Sequence, residues 1–326
     1  MPSTALSSQK TTSQIVKEQI VGKFGVIIGL IFLFAVFGFL SPAFRTWGNV
    51  TNILIQSGTN AVIAAGMTFV IIAGGTDLSV GSTVALSSVI GADIMIKTGN
   101  VGLGIIVSLF FGLVCGAFNG VLIAYIGLPP FIVTLSTMWL YRGIAYVLTA
   151  GQAIVNLPEA NMKLALGRFL GLPAIVWLML FVYVICYIVL AKLTIGRKIY
   201  ATGDNNESAR LSGINVKGIK TLVFVISGFL AALGGVILMS RLNSGQPVAG
   251  QSFEMSAIAA AVIGGTSMTK GGVGGISGTL IGALFISTLL NGLVILNVSS
   301  FWQQVFMGVV VLCAVALDKY RKQLSK

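Results

Sequence analysis

Histidine is absent from this 326-residue chain, which removes the usual zinc ligand, the usual general base and the common serine and cysteine triads. The three cysteines, Cys115, Cys186 and Cys313, lie far apart in apolar stretches with no CxxC or CxxH spacing. They read as reduced packing residues, neither disulfides nor metal ligands. What remains for chemistry is a handful of charges embedded in apolar sequence: Asp77, Asp93, Arg142 and Glu254. Arg142 stands well inside the apolar run 131–150. A buried arginine needs an anion, carbonyl oxygens or a wet cavity, because an unpaired charge in hydrocarbon is costly. Asp93 is taken by Lys97, four residues on along one helix face, so Glu254 is the expected partner of Arg142.

Asp77 interrupts two apolar runs within Gly74-Gly75-Thr76-Asp77-Leu78-Ser79. Two roles are open to it: capping the following helix by accepting from its free N–H groups, or ordering a gate. Gln56, Ser57, Thr59 and Asn60 gather amides and hydroxyls on little more than one helical turn. Uncharged groups of this kind suit a neutral polyol or sugar, whereas an anion path calls for several arginines and a cation path for several carboxylates. The same groups also serve as links between helices. With no histidine and no carboxylate cluster there is no machinery for acid–base catalysis, and neither a catalytic residue nor a metal or cofactor is expected in this chain.

Gly265-Thr266-Ser267-Met268-Thr269-Lys270 lacks the Gly-Lys-Ser/Thr ending of a phosphate-binding loop, so any ATPase must be another chain. A second polar segment runs from Asp204 to Gly213. Asp204 with Glu207 three residues later makes a capping-box pattern, and Gly213 is a natural terminator. A helix of about two turns is expected there, too short to stand without packing on something. Ala209 and Leu211 offer it small and apolar contacts, and Arg210 can reach a carboxylate on a partner.

These groups must be held by a membrane. Hydrophobic residues make up 56% of the chain and charged ones 9%, well below the roughly one quarter charged in soluble domains. A span needs about 20 apolar residues, and ten candidates emerge: 24–40, 52–73, 79–96, 101–126, 131–150, 173–192, 219–240, 254–267, 275–296 and 300–317. The eighth is short and reads as broken or partly re-entrant. The first lacks a small-residue cleavage pattern and reads as an uncleaved span. The net charge of +12 forms no basic stripe with interleaved aromatics, which argues against nucleic acid. With the N-terminus inside, fourteen Lys and Arg fall on the cytoplasmic side and five outside, so both termini are expected in the cytoplasm. The fold class is therefore an all-α polytopic membrane bundle of about ten helices. It comprises a cytoplasmic tail at 1–23, one transmembrane domain at 24–317 and a cytoplasmic tail at 318–326. An outer loop lies at 151–172 and an inner one at 193–218.

Glycines at four-residue spacing, Gly112, Gly116 and Gly120, then Gly274, Gly278 and Gly282, predict close helix packing. A local echo relates residues 71–76 to 261–266 and 89–92 to 280–283.

Four stretches in order resemble one family: Gly74 to Ser82, Arg142-Gly143, Arg210-Leu211-Ser212-Gly213-Ile214-Asn215-Val216, and Ser244-Gly245-Gln246-Pro247 followed by Glu254. They are similar to the permeases of ribose-type bacterial ABC sugar importers, from about Phe44 to the C-terminus. The resemblance implies a second permease chain, a cytoplasmic ATPase with two nucleotide-binding domains that carries the ATP and Mg, and a periplasmic sugar-binding protein. It also implies that Asp204, Glu207, Ala209, Arg210, Leu211 and Gly213 couple to that ATPase. Gln56, Asn60, Asp77, Arg142 and Glu254 are then candidates for the path or gate. Members for ribose, arabinose, xylose and galactose share these motifs. Two other readings compete: an ion-coupled secondary transporter using the four embedded charges, and an ATP-driven importer of branched-chain amino acids.

Overall fold

The computed structural model describes residues 12–324. Among them the helices are α1 (Thr12–Leu40), α2 (Trp47–Ile72), α3 (Val80–Thr98), α4 (Val101–Val121), α5 (Pro130–Thr149), α6 (Glu159–Leu166), α7 (Ala174–Tyr187), α8 (Thr194–Asp204), α9 (Asn206–Leu211), α10 (Val216–Leu242), α11 (Phe253–Ile263), α12 (Ile276–Ile295) and α13 (Ser300–Leu324). π-helical turns extend α4 to Ile126 and α7 to Lys192. Eight helices are long and apolar enough to cross a membrane, and Gly25–Leu40 within α1 and Phe253–Ile263 are shorter apolar segments. Each of the ten expected runs thus meets one helical element. α1 already begins within the expected N-terminal tail, of which residues 1–11 lie outside the described residues; so do residues 325–326 of the C-terminal tail.

Local chemistry sets the boundaries. The Asn100 side chain accepts from Leu103 N and caps α4, Pro130 opens α5 where its missing N–H costs nothing, and Gly99 in the left-handed region ends α3. The echoed sequences share one device. Gly75 N donates to Val70 O and Gly74 N to Ile71 O after α2, while Thr266 N donates to Ala261 O and Gly265 N to Val262 O after α11. Both are paired 6→1 and 5→2 helix stops, one residue out of step with the sequence match.

The glycine spacing packs helices. A Cβ at Gly112 would meet Ala232 and the Gly228 carbonyl, and one at Gly116 would meet the Phe224 carbonyl, so α4 and α10 touch backbone to backbone. Gly278 and Gly282 lie likewise against Gly264 and Ala260, pairing α12 with α11. Such contacts replace the hydrophobic drive that lipid cannot supply. The main core, built on α2 with α7, α10, α11 and α12, contains Ile63, Met67, Phe69, Phe224 and Ile258.

The connection is confined to 243–252, because α10 runs on to Leu242, past the expected end at 240. Its residues Ser244–Gly245 pair antiparallel with Ile154–Val155. Gly245 lies against Ser88 and Ala92 of α3, and Gly250 against Gly81 and Val84, so the segment descends along α3 into the bundle. α11, of 11 residues, then covers only ~16 Å at about 1.5 Å per residue, roughly half of a hydrocarbon core. The eighth run is therefore a re-entrant segment plus a half-helix that stops at Gly264, short of the expected 267. Thr279 and Thr68 hydroxyls bond at 2.7 Å between α12 and α2.

Candidate functional site

Two non-helical segments lie inside the bundle, one leading into α3 and the other packed along it. The turn 73–79 follows α2, and the re-entrant segment 244–252 precedes α11. The depth follows from the helices around them. Asp77 bonds Ser227 of α10, eleven residues past the first helical residue, Val216. At about 1.5 Å per residue that is ~16 Å along α10, inside a helix long and apolar enough to cross a membrane. Irregular backbone at such depth survives only when buried in protein or lining a cavity.

Asp77, 2% exposed, is satisfied on both oxygens. Oδ1 accepts from Ser79 N at 3.0 Å and Ser79 Oγ at 2.6 Å, and Oδ2 accepts from Ser227 Oγ at 2.8 Å. Asn119 Nδ2 of α4 donates to Ser79 Oγ at 2.8 Å, and the Tyr141 hydroxyl of α5 donates to Asn119 Oδ1 at 3.3 Å and Cys115 O at 3.1 Å. One buried chain of hydrogen bonds thus joins the turn to α4, α5 and α10. Asp77 accepts from the N–H of Ser79, which precedes α3, and from no N–H of the helix itself, so it orders the turn before α3 rather than capping the helix. Ser227, Asn119 and Tyr141 escape a local reading; the polar residue inside each apolar run was the available signal.

Arg142 does not pair with Glu254. Its Nη1 donates to the carbonyls of Pro247 at 2.7 Å and Ala249 at 2.5 Å, and among the described residues no ion pair joins the two side chains. The guanidinium pins the re-entrant segment to α5, using acceptors that only non-helical backbone leaves free. Glu254 instead lies against α3's first turn, where a Cβ at Gly81 would meet Glu254 Oε2 and the Gly250 carbonyl. A helix N-terminus favours an anion there. The Asp93–Lys97 pair forms as expected, at 2.7 Å.

On α2, Ser57 Oγ donates within the helix to Ile53 O, a bond that joins no second helix. Thr59 Oγ1 and Asn60 Oδ1 are buried without a partner, and Gln56, one turn before Asn60, is half-buried. This helix carries unspent hydrogen-bonding capacity of the uncharged kind.

The polar segment at 204–213 forms, with its cap shifted. Asp204 is the last residue of α8, and Asn205 caps α9 by accepting from Glu207 N and Ser208 N, each at 2.9 Å. Both residue types cap well; Asp204 is engaged elsewhere, 3.3 Å from Lys270 Nζ. Gly213, at φ +78°, closes α9, with Ile214 N donating to Ala209 O and Gly213 N to Arg210 O. Ala209 is 3% exposed and packs inward, so it is no docking contact, whereas Leu211 is 75% exposed. Arg210 is already bound to Glu207 on the same helix, at 2.6 Å and 3.1 Å. Its guanidinium holds the Glu207 carboxyl below the ordinary carboxylate value. The free face is therefore Glu207, Arg210 and Leu211.

Comparison with known proteins bears on this arrangement directly. The family model described as branched-chain amino acid transport system / permease component matches residues 49–315. The chain is 44% identical over 297 residues to the ribose import permease protein RbsC of Haemophilus influenzae, covering 90% of this chain and 92% of that one. It is 40% identical over 299 residues to the D-allose transport system permease protein AlsC of Escherichia coli K12, covering 91% of each. It is 35% identical over 304 residues to the L-arabinose transport system permease protein AraH of the same strain, covering 93% and 92%. No solved structure matches. The matched stretch runs from the first turn of α2 into α13 and includes both deep segments and α9, and the chain belongs to the ABC-importer permease family.

Proposed function

We propose that this protein is the membrane permease of an ATP-driven importer of a small neutral monosaccharide, ribose or a near relative. The observation that carries the substrate class is that relatives named for ribose, D-allose and L-arabinose import all align over at least nine tenths of this chain. The uncharged, unspent side chains Gln56, Thr59 and Asn60 on α2 support it. Under this reading a second copy of the chain completes the pore, and a periplasmic sugar-binding protein docks on the end carrying α6. That loop is firm enough to receive a partner: Asn161 Nδ2 donates to Met239 O at 3.3 Å and Ala165 N to Ser240 Oγ at 3.0 Å.

ATP is hydrolysed by a cytoplasmic partner with two nucleotide-binding domains, which meets α9 through Leu211, with Glu207 and Arg210 at its rim. The lysines and arginines around 192–220 support a cytoplasmic location for this end and for both termini. Asp77 and Arg142 act as structural pins of the two deep segments, so that movement of α3 or α11 opens or closes the path between them. Neither is free to carry a coupling ion in this arrangement, since Asp77 is bound by three donors and Arg142 by two carbonyls.

The test is uptake of labelled D-ribose into vesicles carrying the permease assembled with its ATPase and binding protein. Competition by D-allose or L-arabinose but not by leucine supports the sugar reading. Competition by leucine alone would replace it with the amino-acid branch of the family.

A further inference from the structure

Residues 264–275, between α11 and α12, hold the glycine-rich run that fails as a phosphate loop, and translocation as proposed leaves them without a task. The structure binds them on three sides. Gly272 N donates to Ile72 O of α2 at 2.8 Å. A Cβ at Gly203, in the last turn of α8, would land on that same Ile72 carbonyl and on Gly272 N, and one at Gly271 would land on Gly203 O. Three backbones cross here with no side chain between them. The Tyr200 hydroxyl of α8 donates to Gly274 O at 2.9 Å, Lys270 pairs with Asp204, and Ser267 Oγ and Thr269 Oγ1 donate to Asp318 of α13 at 2.9 Å and 3.1 Å.

The chain then runs straight on. α8 leads into α9 at Asn205, while 264–275 leads back into α11, whose far end carries Glu254 against α3 and the re-entrant segment held by Arg142. Contact between bare backbones has no rotamers to absorb a displacement, so a shift of α8 is passed on rather than dissipated. Thr202 and Thr266 hydroxyls flank the crossing, buried and without partners, which leaves polar capacity for a second position of the same backbones.

We propose that this crossing is the rigid link through which motion of α8 and α9 reaches the half-helix α11 and the deep segments, with Gly203, Gly271 and Gly272 as its positioning residues. The inference rests on the reading that α9 meets the ATPase. α8 and the 264–275 segment move as one body on nucleotide binding, relative to the start of α10.

Spin labels decide this. In a chain whose three cysteines are replaced by alanine, Lys198→Cys on α8 and Val273→Cys on the segment are both exposed and outside the contact. In the assembled complex their separation stays constant on adding ATP, while that between Val273→Cys and Lys217→Cys changes. A 198–273 separation that changes with nucleotide, or a 217–273 separation that does not, overturns the link. Gly203→Ala adds a functional readout: assembled complexes hydrolyse ATP, but D-ribose taken up per ATP falls about tenfold, at the low end of what overpacking costs. Wild-type uptake per ATP in that variant contradicts the proposal. Failure of the docking reading is seen separately, as normal assembly by Leu211→Glu, whereas the label pair reports on the crossing alone.

Discussion

Replacing Arg142 by glutamine separates the two accounts of what this residue holds. In the structure its guanidinium bonds two carbonyls of the re-entrant segment. Each bond from a charged donor is worth about 1.5–3 kcal/mol, giving about 3–6 kcal/mol for two. Arg142 is only half-buried, so competition from water brings the expected loss to about 2–4 kcal/mol. The segment is also held by its pairing with Ile154–Val155, and the loss therefore shows as local opening rather than global unfolding. At 1.4 kcal/mol per tenfold, the amides of Ala249 and Phe253, which bond Gln246 O and Gly250 O, exchange roughly 30- to 700-fold faster. Hydrogen exchange read by mass spectrometry on the purified permease measures this. Glu254→Gln leaves both carbonyl bonds in place and changes the same amides by less than about fivefold, under ~1 kcal/mol. Unchanged exchange in Arg142→Gln, or an equal effect in Glu254→Gln with strong coupling in a double-mutant cycle, would refute the carbonyl-pin argument.

Gly112→Ala places a methyl on Gly228 and Ala232 and lowers the thermal midpoint in detergent by the equivalent of about 1–3 kcal/mol; an unaltered midpoint means α4 and α10 are not in backbone contact. Leu211→Glu leaves the yield of folded permease intact and abolishes co-purification of the ATPase, whereas Ala209→Glu, at a buried position, lowers the yield itself. The reverse pattern would turn α9 over. Glu207 has a folded-state pKa below its ordinary 4.5 because Arg210 hydrogen-bonds the charged form. Its contribution to α9 is accordingly present above that ordinary value and lost as pH falls through the lowered one. Arg210→Ala shifts the Glu207 carboxyl titration, followed by carbon NMR, upward to the ordinary range; identical titrations in both proteins contradict the pairing.

The ten apolar runs were legible because span length is a local property of the sequence. That the eighth run is broken was legible from its short length, but its end was not, since Gly264 and Gly265 sit within an otherwise apolar stretch and only the paired helix stop ends α11 there. Arg142 advertised a need for a partner, but a search among charged side chains cannot see carbonyls freed by an unwound segment 105 and 107 residues away. Asp77 showed a local bond because Ser79 is two residues on, and concealed its third bond because Ser227 is 150 residues away. In the polar segment, the presence and the end of α9 followed from composition and Gly213. Its phase did not, because six residues give too few turns to distinguish an inward Ala209 from an outward Leu211. The choice between Asp204 and Asn205 as cap depended on Lys270, a contact no local rule supplies.

Under the proposed function this permease moves sugar on energy from ATP hydrolysed by a partner, with its embedded charges serving as pins. Proteoliposomes containing the permease and the ATPase, with binding protein and labelled D-ribose outside and ATP inside, test it in one measurement. Uptake is predicted to require internal ATP and to continue undiminished when an uncoupler collapses the ion gradients. Uptake that proceeds without ATP and stops with the uncoupler would contradict the account and return Asp77, Arg142 and Glu254 to the role of ion-coupling sites.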